Sequence, residues 1–110
     1  MAANDFKVTH MREEQKFHTY INDEEAYLLY RPVGATMLEY YEVYVPLLER
    51  GQEIGTKLVE EALRYAQQYD YRVVDTCPFV SDYIDDNPRY ANLRVDAKQE
   101  RDRYYQDLPD

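Results

Sequence analysis

Along the first half of the chain, apolar and polar positions alternate with a period of two. Phe6, Val8 and His10 alternate with Lys7 and Thr9, and Glu13–Gln15 then makes a polar turn. Phe17, Thr19 and Ile21 alternate with His18 and Tyr20 up to an Asn22-Asp23 turn. A Tyr- and Leu-rich run over Ala26–Val33 closes at Pro32-Val33-Gly34. Met37–Val45 follows, with Tyr41, Val43 and Val45 expected on one face and Tyr40, Glu42 and Tyr44 on the other. Period-two runs separated by short turns predict an antiparallel meander.

The period changes after Gly51. Ile54, Leu58, Ala62 and Ala66 recur every fourth residue, with Val59, Leu63 and Tyr69 on the same broad face. Lys57, Glu60, Glu61, Arg64, Gln67 and Gln68 take the opposite face, which predicts an amphipathic helix over about 54–69. Tyr71–Cys77 supplies a strand around Val73-Val74, and a helix between two strands is a crossover that lets this strand run parallel to a neighbour. Phe79–Asp85 predicts a short helix that Asn87-Pro88 ends, because a residue before proline disfavours helical geometry. The segment 94–110 is polar with scattered apolar residues, and is expected to be a tail or a loosely docked helix beyond a domain spanning 1–93. No internal repeat interrupts this order.

The length of 110 residues suits one α/β domain. A net charge of -9 excludes nucleic acid as the expected partner, since phosphate binding needs clustered Lys and Arg. Cys77 is the single cysteine, so no intrachain disulfide can form. No leader-like apolar run opens the chain and no stretch approaches the roughly 20 apolar residues of a membrane span, so a cytoplasmic location is the default expectation. His10 and His18 stand without clustered thiols or carboxylates, and no metal site is expected.

Chemistry concentrates where the meander meets the helix. Val45-Pro46-Leu47-Leu48-Glu49-Arg50-Gly51-Gln52-Glu53-Ile54-Gly55 joins the fourth strand to that helix. The first helical turn leaves N–H groups without intrahelical partners, and the helix dipole favours negative charge there. Glycine lets a phosphate approach the backbone closely. On spacing alone, an ordinary strand-to-helix turn explains the segment equally well.

Arg50-Gly51-Gln52-Glu53-Ile54-Gly55 resembles the pyrophosphate-binding signature of the GNAT acetyltransferases, Arg or Gln followed by x-x-Gly-x-Gly or Ala. Lys57-Leu58-Val59, Cys77-Pro78-Phe79-Val80, Tyr83-Ile84 and Pro88-Arg89-Tyr90 resemble, in order and spacing, a minimal single-domain branch of that family. The resemblance covers about 6–93. It implies a GNAT-like, acyl-CoA N-acyltransferase fold of the α/β class. The sheet would be mixed and mostly antiparallel, with one main helix and a short C-terminal helix. It also implies acetyl-CoA as cosubstrate and transfer of acetyl to an amine of a small molecule or protein. The strand ending at Val45 would take the pantetheine arm, and Arg50, Gly51, Gln52, Glu53, Ile54, Gly55, Thr56 and Lys57 would surround the pyrophosphate. Two departures stand out. Glu53 occupies the place of the signature's first glycine, and Glu42-Val43 and Asn87 occupy places where the branch carries histidines. Catalytic roles of those histidines do not transfer.

Three residues are candidates for the transfer chemistry, each with a plainer alternative. Cys77 is a candidate nucleophile or proton donor, or a small apolar filler at a strand end. Glu42 is a candidate general base, or a solvated strand carboxylate. Tyr83 is a candidate proton donor to the leaving thiolate, or an aromatic packed on the sheet. Arg50 and Lys57 are phosphate cations or partners of neighbouring glutamates. The competing functions are a non-catalytic acyl-CoA-binding or protein-interaction module on the same scaffold, and a structural partner protein without ligand.

Overall fold

A computed structural model of the chain describes residues 7–46 and 53–95. The order is β1 (Thr9–Met11), a one-turn 3-10 helix (Arg12–Glu14), β2 (Lys16–Ile21), β3 (Glu24–Val33), β4 (Met37–Tyr44), α1 (Ile54–Gln68), β5 (Arg72–Val74), α2 (Pro78–Asp86) and a second 3-10 segment (Pro88–Leu93). The strands form one sheet in the order β1-β2-β3-β4-β5. The first four pair antiparallel and β5 pairs parallel with β4, so the sheet is mixed and mostly antiparallel.

Local chemistry explains the turns. Asn22 and Asp23 both take positive φ (52° and 67°), the two-residue geometry that matches strand twist in a hairpin. The β3–β4 loop has its positive φ at Gly34, a glycine that carries this conformation without steric cost. Asp70, at φ 62°, ends α1, while the Tyr71 N–H donates back to the Ala66 carbonyl at 2.8 Å. Pro78 starts α2, where its missing N–H loses no helical hydrogen bond.

The helical periodicity is realised as packing. Ile54, Leu58, Val59, Ala62, Leu63 and Ala66 are fully buried against a sheet face made by Phe17, Ala26, Leu28, Tyr30, Leu38 and Tyr40. Val80 and Ile84 of α2 join the same cluster. Tyr40 stands at its centre, and its hydroxyl donates to the Ala62 carbonyl of α1 at 2.6 Å, which satisfies the one polar atom of a buried ring. His10 lies flat on Phe17, with centroids 4.1 Å apart, and its Nε2 shares a 2.6 Å hydrogen bond with the Tyr30 hydroxyl.

The packed unit extends two residues past the point where the sequence turns polar. Val95 is buried and its N–H donates to the Val73 carbonyl at 3.0 Å. The Arg94 guanidinium donates to Asp75 (2.8 Å), Asp85 (2.9 Å) and the Ser81 carbonyl (2.8 Å), tying β5 to α2. The remainder of the polar C-terminal segment lies outside the described residues. Among those described, no helix is long and apolar enough to cross a membrane.

Candidate functional site

The site is set by where β4 and β5 part. Their parallel ladder runs through Met37↔Arg72, Leu38↔Val73 and Glu39↔Val74, and the Cys77 N–H donates once more to the Tyr40 carbonyl at 3.2 Å. β5 stops at Val74 and the chain turns into α2. β4 continues to Tyr44, still paired with β3 on its other side through Glu42↔Leu29, Val43↔Leu28 and Tyr44↔Tyr27. Beyond Tyr40, β4 therefore presents an edge that no strand among the described residues completes.

A bulge at Tyr41 accompanies this opening. Tyr30 faces Tyr40 but Leu29 faces Glu42, so β4 carries one residue more than β3 across this step. This corrects the alternation expected for β4. Tyr40 turns into the core with Val43 packed against the same cluster, instead of sharing a face with Glu42 and Tyr44. Tyr41 goes to the outer face, where Arg31 lies 3.9 Å from its ring centroid. Glu42 is on that outer face too, accepting a 3.4 Å hydrogen bond from Tyr27. One inserted residue reverses the phase of a period-two pattern, and period counting alone cannot reveal it.

The loop signature and the Cys-Pro-Phe segment meet here. Gly55 is buried in the first turn of α1, and a Cβ at that position would stand 3.0 Å from Cζ of Phe79 and 3.5 Å from Cγ2 of Val45. Phe79 remains 44% exposed, so its ring both covers Gly55 and borders solvent. Glu53 caps α1 in the left-handed region (φ 60°, ψ 23°), makes no side-chain cap hydrogen bond, and is followed by a first turn without acidic residues. The first amide to find an intrahelical carbonyl is that of Lys57, which donates to Glu53 at 3.1 Å. The Ile54, Gly55 and Thr56 amides precede it, at the positive end of the helix dipole. Arg50, Gly51 and Gln52 lie outside the described residues.

The other expected site residues go to different neighbours. Lys57 pairs with Glu61 (3.3 Å) and Glu60 (3.5 Å), and the Glu61 hydrogen bond raises its pKa above the ordinary lysine value. Cys77 is buried at the cap of α2 as a free thiol. Tyr83 donates to Glu60 at 3.4 Å, and burial raises its pKa, so it is a protonated phenol at neutral pH. Glu60 also takes Arg89 at 3.5 Å. Glu42 bonds on the outer face, whereas Tyr83 bonds to a carboxylate of α1, the helix covering the core face; the two do not share a partner. The contact of Phe79 with Gly55 and the central place of Tyr40 went unforeseen. An aromatic directly after a proline was the available signal for the first, and the crowding of Tyr40, Tyr41 and Tyr44 in β4 hid the second.

A five-stranded mixed sheet with a crossover helix, opened between β4 and β5 at that helix's N-terminus, is the acyltransferase type of α/β fold. The family model described as GCN5-related N-acetyl-transferase matches residues 16–93, and the chain belongs to that family. Protein NATD1 of Mus musculus is 30% identical over 84 residues, spanning 74% of this chain and 76% of the relative. Protein NATD1 of Homo sapiens shows the same identity, spanning 74% of each chain. A solution NMR structure of a GCN5-like protein from Staphylococcus aureus superposes with a TM-score of 0.61 over 86% of this chain and 91% of that one; at 20% identity this likeness shows the fold.

Proposed function

We propose that the protein binds acetyl-CoA in the opening between β4 and β5 and acts as an N-acetyltransferase toward a primary amine. The single observation that carries this reading is the parting of the two strands after the Cys77–Tyr40 hydrogen bond, directly beside the first turn of α1. The open edge of β4 supplies main-chain donors and acceptors suited to the amides of a pantetheine arm. The amides of Ile54, Gly55 and Thr56 supply donors for pyrophosphate, and Gly55 gives a backbone approach without a Cβ. The described residues therefore fit the group, with Glu53 an unfavourable charge among them.

When bound, acetyl-CoA supplies an activated thioester. In transfer, the amine nitrogen bonds to the carbonyl carbon, the C–S bond breaks, the amine loses a proton and the thiolate gains one. Tyr83 holds a proton at its hydroxyl, and Cys77 is a buried thiol at the cap of α2 whose backbone N–H closes the last hydrogen bond before the parting. Glu42 is an exposed carboxylate on the outer face of the same β4 segment and would accept the amine's proton directly or through water.

A second reading, a binding module without turnover, is favoured by one observation: Glu42 bonds to Tyr27, Tyr83 to Glu60 and Cys77 is a buried free thiol, so among the described residues the three share no hydrogen-bond partner. Calorimetric titration with CoA, followed by a free-thiol assay with acetyl-CoA and a panel of amines including a lysine peptide, separates the readings. Binding with thiol release supports the enzyme, and binding without release supports the module. Absence of binding at millimolar CoA overturns both.

A further inference from the structure

The far end of α1 borders a second concavity. A groove of about 490 Å³ opens between the 3-10 turn after β1, the β3–β4 surface and the last turns of α1. Tyr65 lines it, and this residue lies about 16 Å along the helix axis from Ile54 at 1.5 Å per residue. The groove is therefore separate from the opening between β4 and β5. Its volume falls within the range of small-molecule sites.

Its walls combine flat apolar surface with two charges, one of each sign, that pair with no described residue. Tyr30, Tyr65, Tyr71 and Leu38 supply the surface, and Tyr65 and Tyr71 lie 22° from parallel with centroids 6.0 Å apart. Arg12 and Glu13 stand at its edge. Every other described arginine is engaged: Arg31 with Glu39, Arg64 with Glu61, Arg89 with Glu60, Arg94 with Asp75 and Asp85, and Arg72 with main-chain carbonyls. Among the described residues Arg12 has no carboxylate partner, although the chain carries 22 acidic against 13 basic side chains. Glu13 has no cationic partner among them either. The charge of Arg12 is felt within the groove, where it acts on the Tyr30 phenol and on the His10 ring bonded to it.

A guanidinium selects a carboxylate, a free glutamate selects an ammonium, and tyrosine rings select a flat apolar body. The overall charge of -9 repels a simple anion but not a ligand that is neutral overall. We propose that this groove binds an aromatic α-amino acid, with its carboxylate on Arg12, its ammonium on Glu13 and its ring against Tyr65, Tyr71 and Leu38. The site is independent of the acyl-CoA reading.

Amide-shift titration of the full chain with L-phenylalanine, 3-phenylpropionate and phenethylamine tests it. Phenylalanine should shift Arg12, Glu13, Tyr30, Tyr65 and Tyr71 and bind at least tenfold more tightly than either analogue lacking one charge. Arg12→Gln should weaken phenylalanine and 3-phenylpropionate about tenfold and leave phenethylamine unchanged; Glu13→Gln should weaken phenylalanine and phenethylamine only. Equal affinity of the three ligands for the wild-type chain overturns the proposal, as do shifts confined to other residues or no shift at about 10 mM. The wild-type comparison decides the matter even if a variant folds poorly.

Discussion

Replacing Gly55 with alanine tests the contact that joins the two halves of the candidate site. The added Cβ would stand 3.0 Å from Cζ and 3.3 Å from Cε1 of Phe79, closer than side chains pack without movement. Overpacking of this kind costs about 1–3 kcal/mol. Alanine is intrinsically better than glycine inside a helix by about 1 kcal/mol. In the wild-type background the net result should be a loss of about 1 kcal/mol, or a fall in Tm of about 4–8 °C for a domain of this size. Phe79→Ala alone should cost about 1–1.5 kcal/mol, because a ring 44% exposed forfeits little more than half of a full burial term. With the ring gone, the helix-propensity gain acts unopposed and Gly55→Ala should become stabilising by about 1 kcal/mol. A double-mutant cycle measured by chemical and thermal denaturation reads this reversal of sign as a coupling energy of about 2 kcal/mol. If Gly55→Ala has the same effect with and without Phe79, the ring does not hold the position and the argument for the contact fails.

Four further outcomes follow from individual residues. Glu53→Gly should raise Tm by a few degrees and Glu53→Gln should not, because the left-handed conformation at φ 60° costs a side-chain-bearing residue about 1–2 kcal/mol whatever its charge. Tyr40→Phe should cost about 1–2 kcal/mol in denaturant midpoint experiments, since it deletes a buried 2.6 Å hydrogen bond to α1. Burial, and secondarily Arg12, depress the His10 pKa below its ordinary 6.5, so the neutral ring's contribution to stability is full above 6.5 and lost as pH falls below it. Tm measured from pH 7.5 to 5 should therefore decline, and His10→Gln should flatten that decline. Glu25 acts at lower pH: its hydrogen bonds from Lys16 and then His18 depress its pKa below 4.5, and that contribution disappears only as pH falls through the lowered value.

Much of the fold was legible because burial obeys simple periods where elements are regular. Phe17 and Thr19 alternate inward as their spacing requires, and the Ile54–Ala66 stripe lies wholly against the sheet. The Asn22-Asp23 hairpin and the parallel placement of Val73-Val74 follow from turn chemistry and crossover length. The pattern broke at Tyr41, because a bulge is a property of two strands in register and leaves no mark in one. The contacts of Arg94 stayed hidden for a related reason: a charged side chain reads as solvated until the carboxylates of Asp75 and Asp85 converge on it in space. For the candidate site, the glycine loop and the Cys-Pro-Phe segment were visible as separate strings. Their meeting through Gly55 and Phe79 required the three-dimensional path of α1 and β5.

The central claim is that the parting of β4 from β5, with the first turn of α1, forms an acyl-CoA site. Titrating CoA into isotope-labelled protein and following backbone amide shifts tests it most directly. The account predicts saturable shifts at Tyr41–Val45, Ile54–Lys57 and Cys77–Phe79, with Arg12, Tyr65 and Tyr71 unmoved. An unchanged spectrum at millimolar CoA, or shifts confined to the far end of α1, would contradict it.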